Sequence, residues 1–132
     1  MNARILVVED DEGTRQLLEV CLTNKGYEVA LVEDAFEAQK YLNKKVPDLI
    51  LVDIMMPGMN GMDLCRWIRS QPLLKELPII QMSALTDEVT IQDSFETGVI
   101  DYVVKPIDFN ALYKKIELAF SRTNRRQIGE RH

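Results

Sequence analysis

The chain has 132 residues, of which 46% are hydrophobic and 28% charged, a composition that suits one soluble globular domain with its own core. Its net charge of −5 and pI of about 4.9 argue against direct nucleic-acid binding, because an acidic surface repels phosphates. No apolar run approaches the roughly 20 residues of a membrane span. The N-terminal sequence MNARILVVED contains acidic residues within its first ten positions, which is not typical of a secretion signal. Cys21 and Cys65 lack the spacing of metal ligands, so we expect reduced thiols and a cytoplasmic protein.

Short β-branched runs alternate with stretches of helical period along the chain. The runs predict five strands, at residues 4–8, 27–32, 49–52, 78–82 and 102–104. Four residues are expected to cap the helices between and after them: Gly26, Asp34, Thr86 and Asp108. Five alternating strand–helix units predict an α/β fold, a parallel sheet with helices on both faces.

One domain is expected over residues 1–121, since no repeat, second domain or low-complexity segment interrupts it. Residues 122–132, RTNRRQIGERH, are basic and poor in apolar side chains. We expect this tail to continue the last helix and then to fray, and its composition is equally typical of a linker to a further domain and of a solvated chain end.

Polar side chains stand where the predicted strands end. They are Glu9, Asp10 and Asp11 after the first strand, Asp53 after the third, Ser83 after the fourth and Lys105 after the fifth. In an open α/β sheet, ligands bind at the carboxyl ends of the strands. Each residue alone could be a helix cap, a turn former or a surface charge. Their common placement at one edge favours a binding or catalytic site, with Asp10 and Asp53 meeting if strands 1 and 3 are neighbours.

Clustered carboxylates need a proton or a cation, because two unit charges about 4 Å apart repel by about 4 kcal/mol at an effective dielectric near 20. A site with few protein oxygen ligands suits Mg²⁺, which keeps several waters and binds beside phosphate. Asp53 can then act as a carboxylate nucleophile that forms an acyl phosphate. Lys105 can balance the charge of a transferred phosphoryl group, and Ser83 can donate a hydrogen bond to it.

Four ordered motifs resemble those of the receiver domain of two-component response regulators, over residues 3–121. They are ILVVEDDEGTR, PDLILVDIMMPGMNG, IIQMSA and DYVVKP. The resemblance implies a flavodoxin-like doubly wound fold, with five parallel strands in the order 2-1-3-4-5. Two departures from the family pattern are mild: Glu9 stands where Asp is commoner, and Ser83 where Thr is commoner.

The resemblance assigns the chemistry of the site to individual residues. Asp53 is the phosphoacceptor, and Mg²⁺, with Mn²⁺ as a substitute, is bound by Asp10, Asp53 and the backbone carbonyl of Met55, with Glu9 acting through water. The Lys105 side chain contacts the phosphoryl group. The peptide bond between Lys105 and Pro106 is expected to be cis. The small side chain of Ala84 leaves the phosphoryl group accessible.

Two further functions are implied at positions near these residues. Ser83 and Tyr102 are the switch residues that carry the phosphorylation signal to the helix 4–strand 5–helix 5 face. Met55 and Leu85 lie over the attacking water, and both are apolar, so we expect a slow loss of the phosphoryl group.

The expected function is therefore a phosphoacceptor switch rather than an enzyme, apart from self-phosphorylation and slow autodephosphorylation. Its expected partners are a histidine kinase or histidine phosphotransfer protein, and a downstream protein or a fused output domain. The resemblance is also compatible with a weak dimer that forms on phosphorylation.

Three alternatives remain at this stage. The first is a haloacid-dehalogenase-like aspartyl-phosphate phosphatase, which would need an acidic residue where Met55 stands. The second is a degenerate receiver that serves only for dimerisation. The third is the receiver piece of a longer regulator with a DNA-binding or enzymatic output domain.

Overall fold

The computed structural model describes residues 2–56 and 58–130, with side chains described as far as residue 122. Along these residues the strands are β1 Arg4–Val8, β2 Glu28–Val32, β3 Leu49–Asp53, β4 Ile79–Ser83 and β5 Asp101–Val104. The α-helices are α1 Glu12–Asn24, α2 Ala35–Lys44, α3 Gly61–Ser70, α4 Glu88–Glu96 and α5 Phe109–Glu130, with a 3₁₀ turn at Pro72–Leu74. Each of the five predicted strands is confirmed to within one residue at either end.

The strands form one parallel sheet in the order β2-β1-β3-β4-β5, which confirms the expected fold class and strand order. β1 and β3 are neighbours, with Val8 opposite Val52, so the strands that carry the acidic residues end side by side. The central strand β3 is buried along its whole length, because helices cover both faces of the sheet.

Alternation along β3 divides the core into two layers. Ile50 and Val52 pack on one face of the sheet, together with buried side chains of α2 and α3. Leu49 and Leu51 pack on the other face, with buried side chains of α1 and α5. Because every second residue of a strand points to the same side, this one strand anchors both layers and holds its terminal residue, Asp53, at a fixed position on the edge.

Three of the four predicted helix caps are confirmed. Gly26 follows α1 with a φ of 92°, and Asp34 and Asp108 accept hydrogen bonds from backbone amides three residues on, at 2.8 and 3.2 Å. The expectation for Thr86 is wrong. α4 begins one residue later than the pattern suggests, and the Asp87 carboxylate accepts from the amide of the residue three positions on, at 2.9 Å.

The last helix, α5, continues through the predicted boundary at residue 121 and includes most of the expected tail, as far as Glu130. The final two residues of that tail lie outside the described part of the chain. Within the described residues, no helix combines the length and the apolar character needed to cross a bilayer.

Candidate functional site

Three carboxylates meet at the carboxyl edge of the sheet, where β1 and β3 end. Carboxylate oxygens of Glu9, Asp10 and Asp53 all lie within 4.8 Å of one another. Glu9 is fully buried and Asp53 is 3% exposed, whereas Asp10 is exposed at the mouth of the cleft. The meeting of Asp10 and Asp53 that the sequence predicts is therefore present.

Lys105 reaches this cluster from the end of β5. Its ammonium donates a hydrogen bond to Asp53 Oδ2 at 2.8 Å and another to Glu9 Oε1. Burial alone would lower the pKa of Lys105, but the hydrogen bonds to Asp53 and Glu9 outweigh it and raise that pKa above its ordinary value. Lys105 is therefore a fixed positive charge, shared by two buried carboxylates.

The pairing of Glu9 with Lys105 is a contact that the sequence reasoning missed, because it assigned Glu9 to the metal alone. Burial, reinforced by the neighbouring Asp53, raises the pKa of Glu9 to about 8 despite the opposing effect of Lys105. The second carboxylate oxygen, Glu9 Oε2, is buried and has no hydrogen-bond partner within the part of the chain that is described. Buried polar atoms rarely lack partners, so this orphaned oxygen beside two other carboxylates fits a hard cation with oxygen ligands.

The loop after β3 holds Asp53 from its other side. The Met55 amide donates to Asp53 Oδ1 at 2.9 Å, so both oxygens of the carboxylate are engaged. Farther along, the Gly61 amide donates to the carbonyl of Ile54 at 3.2 Å. A Cβ atom at Gly61 would lie 2.5 Å from both the Asp53 carbonyl oxygen and the Ile54 Cα, so only glycine fits there.

Gly61 has a role that the sequence reasoning missed. The Gly-x-x-Gly pattern at 58–61 was visible as a turn signal. Nothing in the pattern indicated that the start of α3 packs directly on the backbone of the acidic strand end.

Arg15 fixes the loop after β1 and was also missed. Its Nη1 donates to the carbonyls of Glu9 and Asp10, each at 2.9 Å, and its Nη2 lies 3.5 Å from a Glu33 carboxylate oxygen. In the sequence, an arginine in the first turns of a helix is indistinguishable from a solvated charge. Asp11 does not join the cluster, since it caps α1 by accepting from the Thr14 amide at 2.8 Å, and the Thr14 hydrogen bonds lower its pKa.

Ser83 and Tyr102 are connected through the backbone of Leu85. The Leu85 amide donates to Ser83 Oγ at 3.0 Å, and the Tyr102 hydroxyl donates to the Leu85 carbonyl at 2.8 Å. Ser83 is fully buried at the end of β4, and Tyr102 is 7% exposed on β5. Ala84 follows Ser83 in the sequence and is exposed. The switch role expected for Ser83 and Tyr102 stays a prediction, and the Leu85 peptide that links the two side chains was not anticipated from the sequence.

The two positions expected to tune the lifetime are accessible to solvent. The Met55 side chain is 60% exposed and that of Leu85 is 37% exposed. Both side chains are apolar, and their effect on the lifetime of the phosphorylated state stays a prediction.

A parallel sheet in this order, with an acidic cleft and a lysine at its carboxyl edge, defines a flavodoxin-like α/β domain of the receiver type. The chain belongs to the response regulator receiver domain family, whose model matches residues 5–117. This match confirms the resemblance found in the sequence. It makes the chain a receiver domain of two-component signalling, a family of switches rather than classical enzymes.

Relatives and solved structures agree with this assignment. The chain is 35% identical over 124 residues to the DNA-binding response regulator MtrA of Mycolicibacterium paratuberculosis, covering 94% of this chain and 54% of MtrA. It resembles the chemotaxis protein CheY4 of Vibrio cholerae with a TM-score of 0.86 and 29% identity, covering 90% of this chain and 99% of that one. It also resembles the receiver domain of sensor histidine kinase PA1611 from Pseudomonas aeruginosa, solved with magnesium in its active-site cleft. That match has a TM-score of 0.85 and 28% identity, covering 92% of this chain and 99% of the other.

The chain thus spans about half the length of MtrA, but nearly the whole of the CheY4 chain. Receiver domains therefore occur among its relatives both with and without a large additional segment.

Proposed function

We propose that Asp53 accepts a phosphoryl group from a phosphohistidine of a partner kinase or phosphotransfer protein. A carboxylate oxygen of Asp53 attacks the phosphorus, the phosphorus–nitrogen bond breaks, and its electron pair returns to the partner's imidazole. An acyl phosphate results. The observation that carries this proposal is the Lys105 ammonium, 2.8 Å from Asp53 Oδ2, in place to balance the charge of the arriving group.

Glu9, Asp10, Asp53 and the Met55 carbonyl are the groups that would hold Mg²⁺, with Mn²⁺ as a substitute. The unpartnered Glu9 Oε2 supports this assignment. So does the magnesium ion in the cleft of the PA1611 receiver domain. When bound, the ion supplies positive charge that neutralises the carboxylates and the phosphoryl oxygens.

Ser83 is the proposed hydrogen-bond donor to the phosphoryl group. Its oxygen already accepts from the Leu85 amide, and its hydroxyl proton has no acceptor among the residues described. That proton is available to a phosphoryl oxygen arriving on the neighbouring strand. The exposed methyl side chain of Ala84 leaves the approach open.

The switch follows from the Leu85 peptide, which holds Ser83 at its amide and Tyr102 at its carbonyl. When Ser83 turns to the phosphoryl group, the amide contact at Leu85 is strained or lost, and the peptide moves. That movement alters the hydrogen bond that keeps Tyr102 in place. Phosphorylation thereby biases two pre-existing arrangements of the α4–β5–α5 face.

That face is suited to protein partners. Apolar side chains stand exposed on each of its three elements: Val89 and Phe95 on α4, Val104 on β5 and Leu118 on α5. We propose that a downstream protein, a fused output domain or a second phosphorylated copy in a weak dimer binds there. A fused output domain as one such partner is supported by MtrA, which is named a DNA-binding response regulator and of which this chain covers 54%. The acidic charge of this chain favours a protein partner over DNA.

We place this reaction in the cytoplasm, where the two free cysteines would stay reduced. We do not propose a haloacid-dehalogenase-like phosphatase. Such chemistry needs an acid–base side chain two positions after the nucleophile, and Met55 has none.

The phosphorylated state is proposed to be long-lived. Hydrolysis needs a water held in line with the acyl phosphate, and neither Met55 nor Leu85 can orient one. A Met55→Asn, Leu85→Glu variant should lose the phosphoryl group faster than the wild type, measured by intact mass over time. An unchanged or longer lifetime in the variant would contradict the shielding proposal.

Intact mass after incubation with acetyl phosphate and Mg²⁺ tests the function itself. The wild type should gain one phosphoryl group, and Asp53→Asn should gain none. Asp93→Asn is the matched control, since Asp93 is an exposed aspartate within α4 that is not part of the carboxylate cluster, and this variant should be labelled like the wild type. Labelling of Asp53→Asn would show that another carboxylate is the acceptor.

A further inference from the structure

The methionines near the site differ sharply in exposure. Met82 is fully buried and Met56 is 8% exposed, while Met59 and Met62 are half-buried. The Met59 sulfur also accepts a hydrogen bond from the Gln39 amide at 3.9 Å. Met55, at 60% exposure, is the methionine that solvent reaches most readily among those described.

Met55 is also held against the proposed phosphoacceptor. Its amide nitrogen lies 2.9 Å from Asp53 Oδ1. Adding the N–Cα bond length places its Cα no more than about 4.4 Å from that oxygen. The thioether is attached to this Cα by a flexible unbranched side chain, so the most exposed of the described methionines is anchored next to the proposed phosphoacceptor.

We propose that Met55 is an oxidation site through which hydroperoxides shorten the life of the phosphorylated protein, an inference that rests on the function proposed above. A lone pair of the thioether sulfur attacks the distal peroxide oxygen, and the oxygen–oxygen bond breaks. Sulfur is oxidised to the sulfoxide, and hydrogen peroxide is reduced to water. The reaction needs no other partner, and reversal requires a methionine sulfoxide reductase.

The expected effect comes from the change in polarity at this one side chain. A thioether is a weak hydrogen-bond acceptor, whereas a sulfoxide is polar and accepts hydrogen bonds from water. Oxidation therefore replaces an apolar side chain next to Asp53 with a polar one that can hold water beside the acyl phosphate. We expect the phosphoryl group to be lost roughly two- to tenfold faster, the range that one net hydrogen bond to a water corresponds to.

Peptide mapping of the whole chain after brief treatment with dilute hydrogen peroxide tests the first half of the proposal. The Met55 sulfoxide should appear before sulfoxides of Met59 and Met62, and well before those of Met56 and Met82. Equal or earlier oxidation of Met59 or Met62 would overturn the assignment of the site.

The second half is tested by phosphorylating oxidised and unoxidised protein with acetyl phosphate, removing the donor, and following the phosphoryl mass. Met55→Leu, which cannot be oxidised at this position, should decay at the same rate with and without peroxide treatment. Met55→Gln, which is permanently polar, should decay at a rate close to that of oxidised wild type. If peroxide accelerates the decay of Met55→Leu as much as that of wild type, the effect does not pass through Met55 and the proposal is wrong.

Failure of the underlying function would look different. Untreated wild type would then take up no phosphoryl group at all, while the order of methionine oxidation would still be read from the peptides.

Discussion

Gly61 offers a sharp test of how the backbone supports the acidic cleft. In Gly61→Ala, the new Cβ would lie 2.5 Å from the Asp53 carbonyl oxygen and from the Ile54 Cα. These contacts are about 0.9 Å closer than the 3.4 Å at which ordinary van der Waals contact begins. Both neighbours are backbone atoms, so neither can rotate away, and the start of α3 must move away from the end of β3.

The size of the effect is a balance of two terms. Alanine is a better helix former than glycine by about 1 kcal/mol in a helix interior, and by less than that at Gly61, the first residue of α3, so this term favours the variant by at most about 1 kcal/mol. Overpacking of a tight site costs about 1–3 kcal/mol, and a contact with two fixed backbone atoms belongs at the upper end. The net loss of about 2 kcal/mol should lower the melting temperature by roughly 6–10 °C for a chain of this size.

The same shift should also disturb the site. Moving the Asp53 backbone changes the position of its carboxylate relative to Lys105, which is 2.8 Å away in the wild type. Since a misplacement of about 1 Å can cost on the order of a hundredfold in rate, phosphorylation by acetyl phosphate should slow by about tenfold or more.

Gly13→Ala is the matched control. Gly13 lies in α1, and a Cβ atom there would meet only the Asp11 Oδ2, at an ordinary 3.5 Å. This variant should be as stable as the wild type or more stable by up to about 1 kcal/mol. Thermal unfolding and the rate of phosphoryl uptake, measured on wild type and both variants, decide the matter. If Gly61→Ala melts and reacts like Gly13→Ala, the close packing of α3 on β3 does not support the site as argued.

Three further predictions concern the metal, the switch and the thiols. Saturating Mg²⁺ should raise the melting temperature of the wild type but not that of Asp10→Ala, because relief of carboxylate repulsion stabilises only the folded state. Equal shifts in both proteins would show that Asp10 is not a metal ligand. Tyr102→Phe should still be phosphorylated, but it should lose the hydrogen bond to the Leu85 carbonyl, which is worth about 0.5–1.5 kcal/mol. Amide hydrogen exchange in the β4–α4 loop should therefore be faster than in the wild type, and unchanged exchange would refute the proposed link between Tyr102 and Leu85. At pH 8, iodoacetamide should modify Cys21 well before Cys65, because burial raises the pKa of the Cys65 thiol to about 11 and keeps it neutral. Simultaneous modification of both cysteines in the native protein would show that Cys65 is accessible.

Local patterns in the sequence predicted the five strands and several of the side chains that lie at the carboxyl edge of the sheet. Apolar runs rich in β-branched residues and bounded by turn residues predicted each strand to within one residue at either end, and the clearest of these runs belongs to β3, which is buried along its whole length. The polar residues that follow those runs predicted which side chains lie on the carboxyl edge. The strand order itself came from the family resemblance, and with that order the meeting of Asp10 and Asp53 follows from adjacency alone.

The helix caps show where local reasoning becomes uncertain. Thr86 and Asp87 can both cap a helix, and the sequence pattern does not choose between them. The observed start of α4 leaves Asp87 at the capping position.

Only the tertiary structure decided how the site residues are connected. Lys105 and Glu9 are 96 positions apart, and their contact depends on the length of two side chains that start from the ends of β5 and β1, with β3 and β4 between them in the sheet. The Leu85 peptide links Ser83 to Tyr102 through backbone groups that carry no residue-specific signal. The need for glycine at position 61 arises from the approach of α3 to the end of β3. Each of these features depends on distances set by the packing of several elements at once, whereas a sequence pattern records only the spacing of residues along one chain.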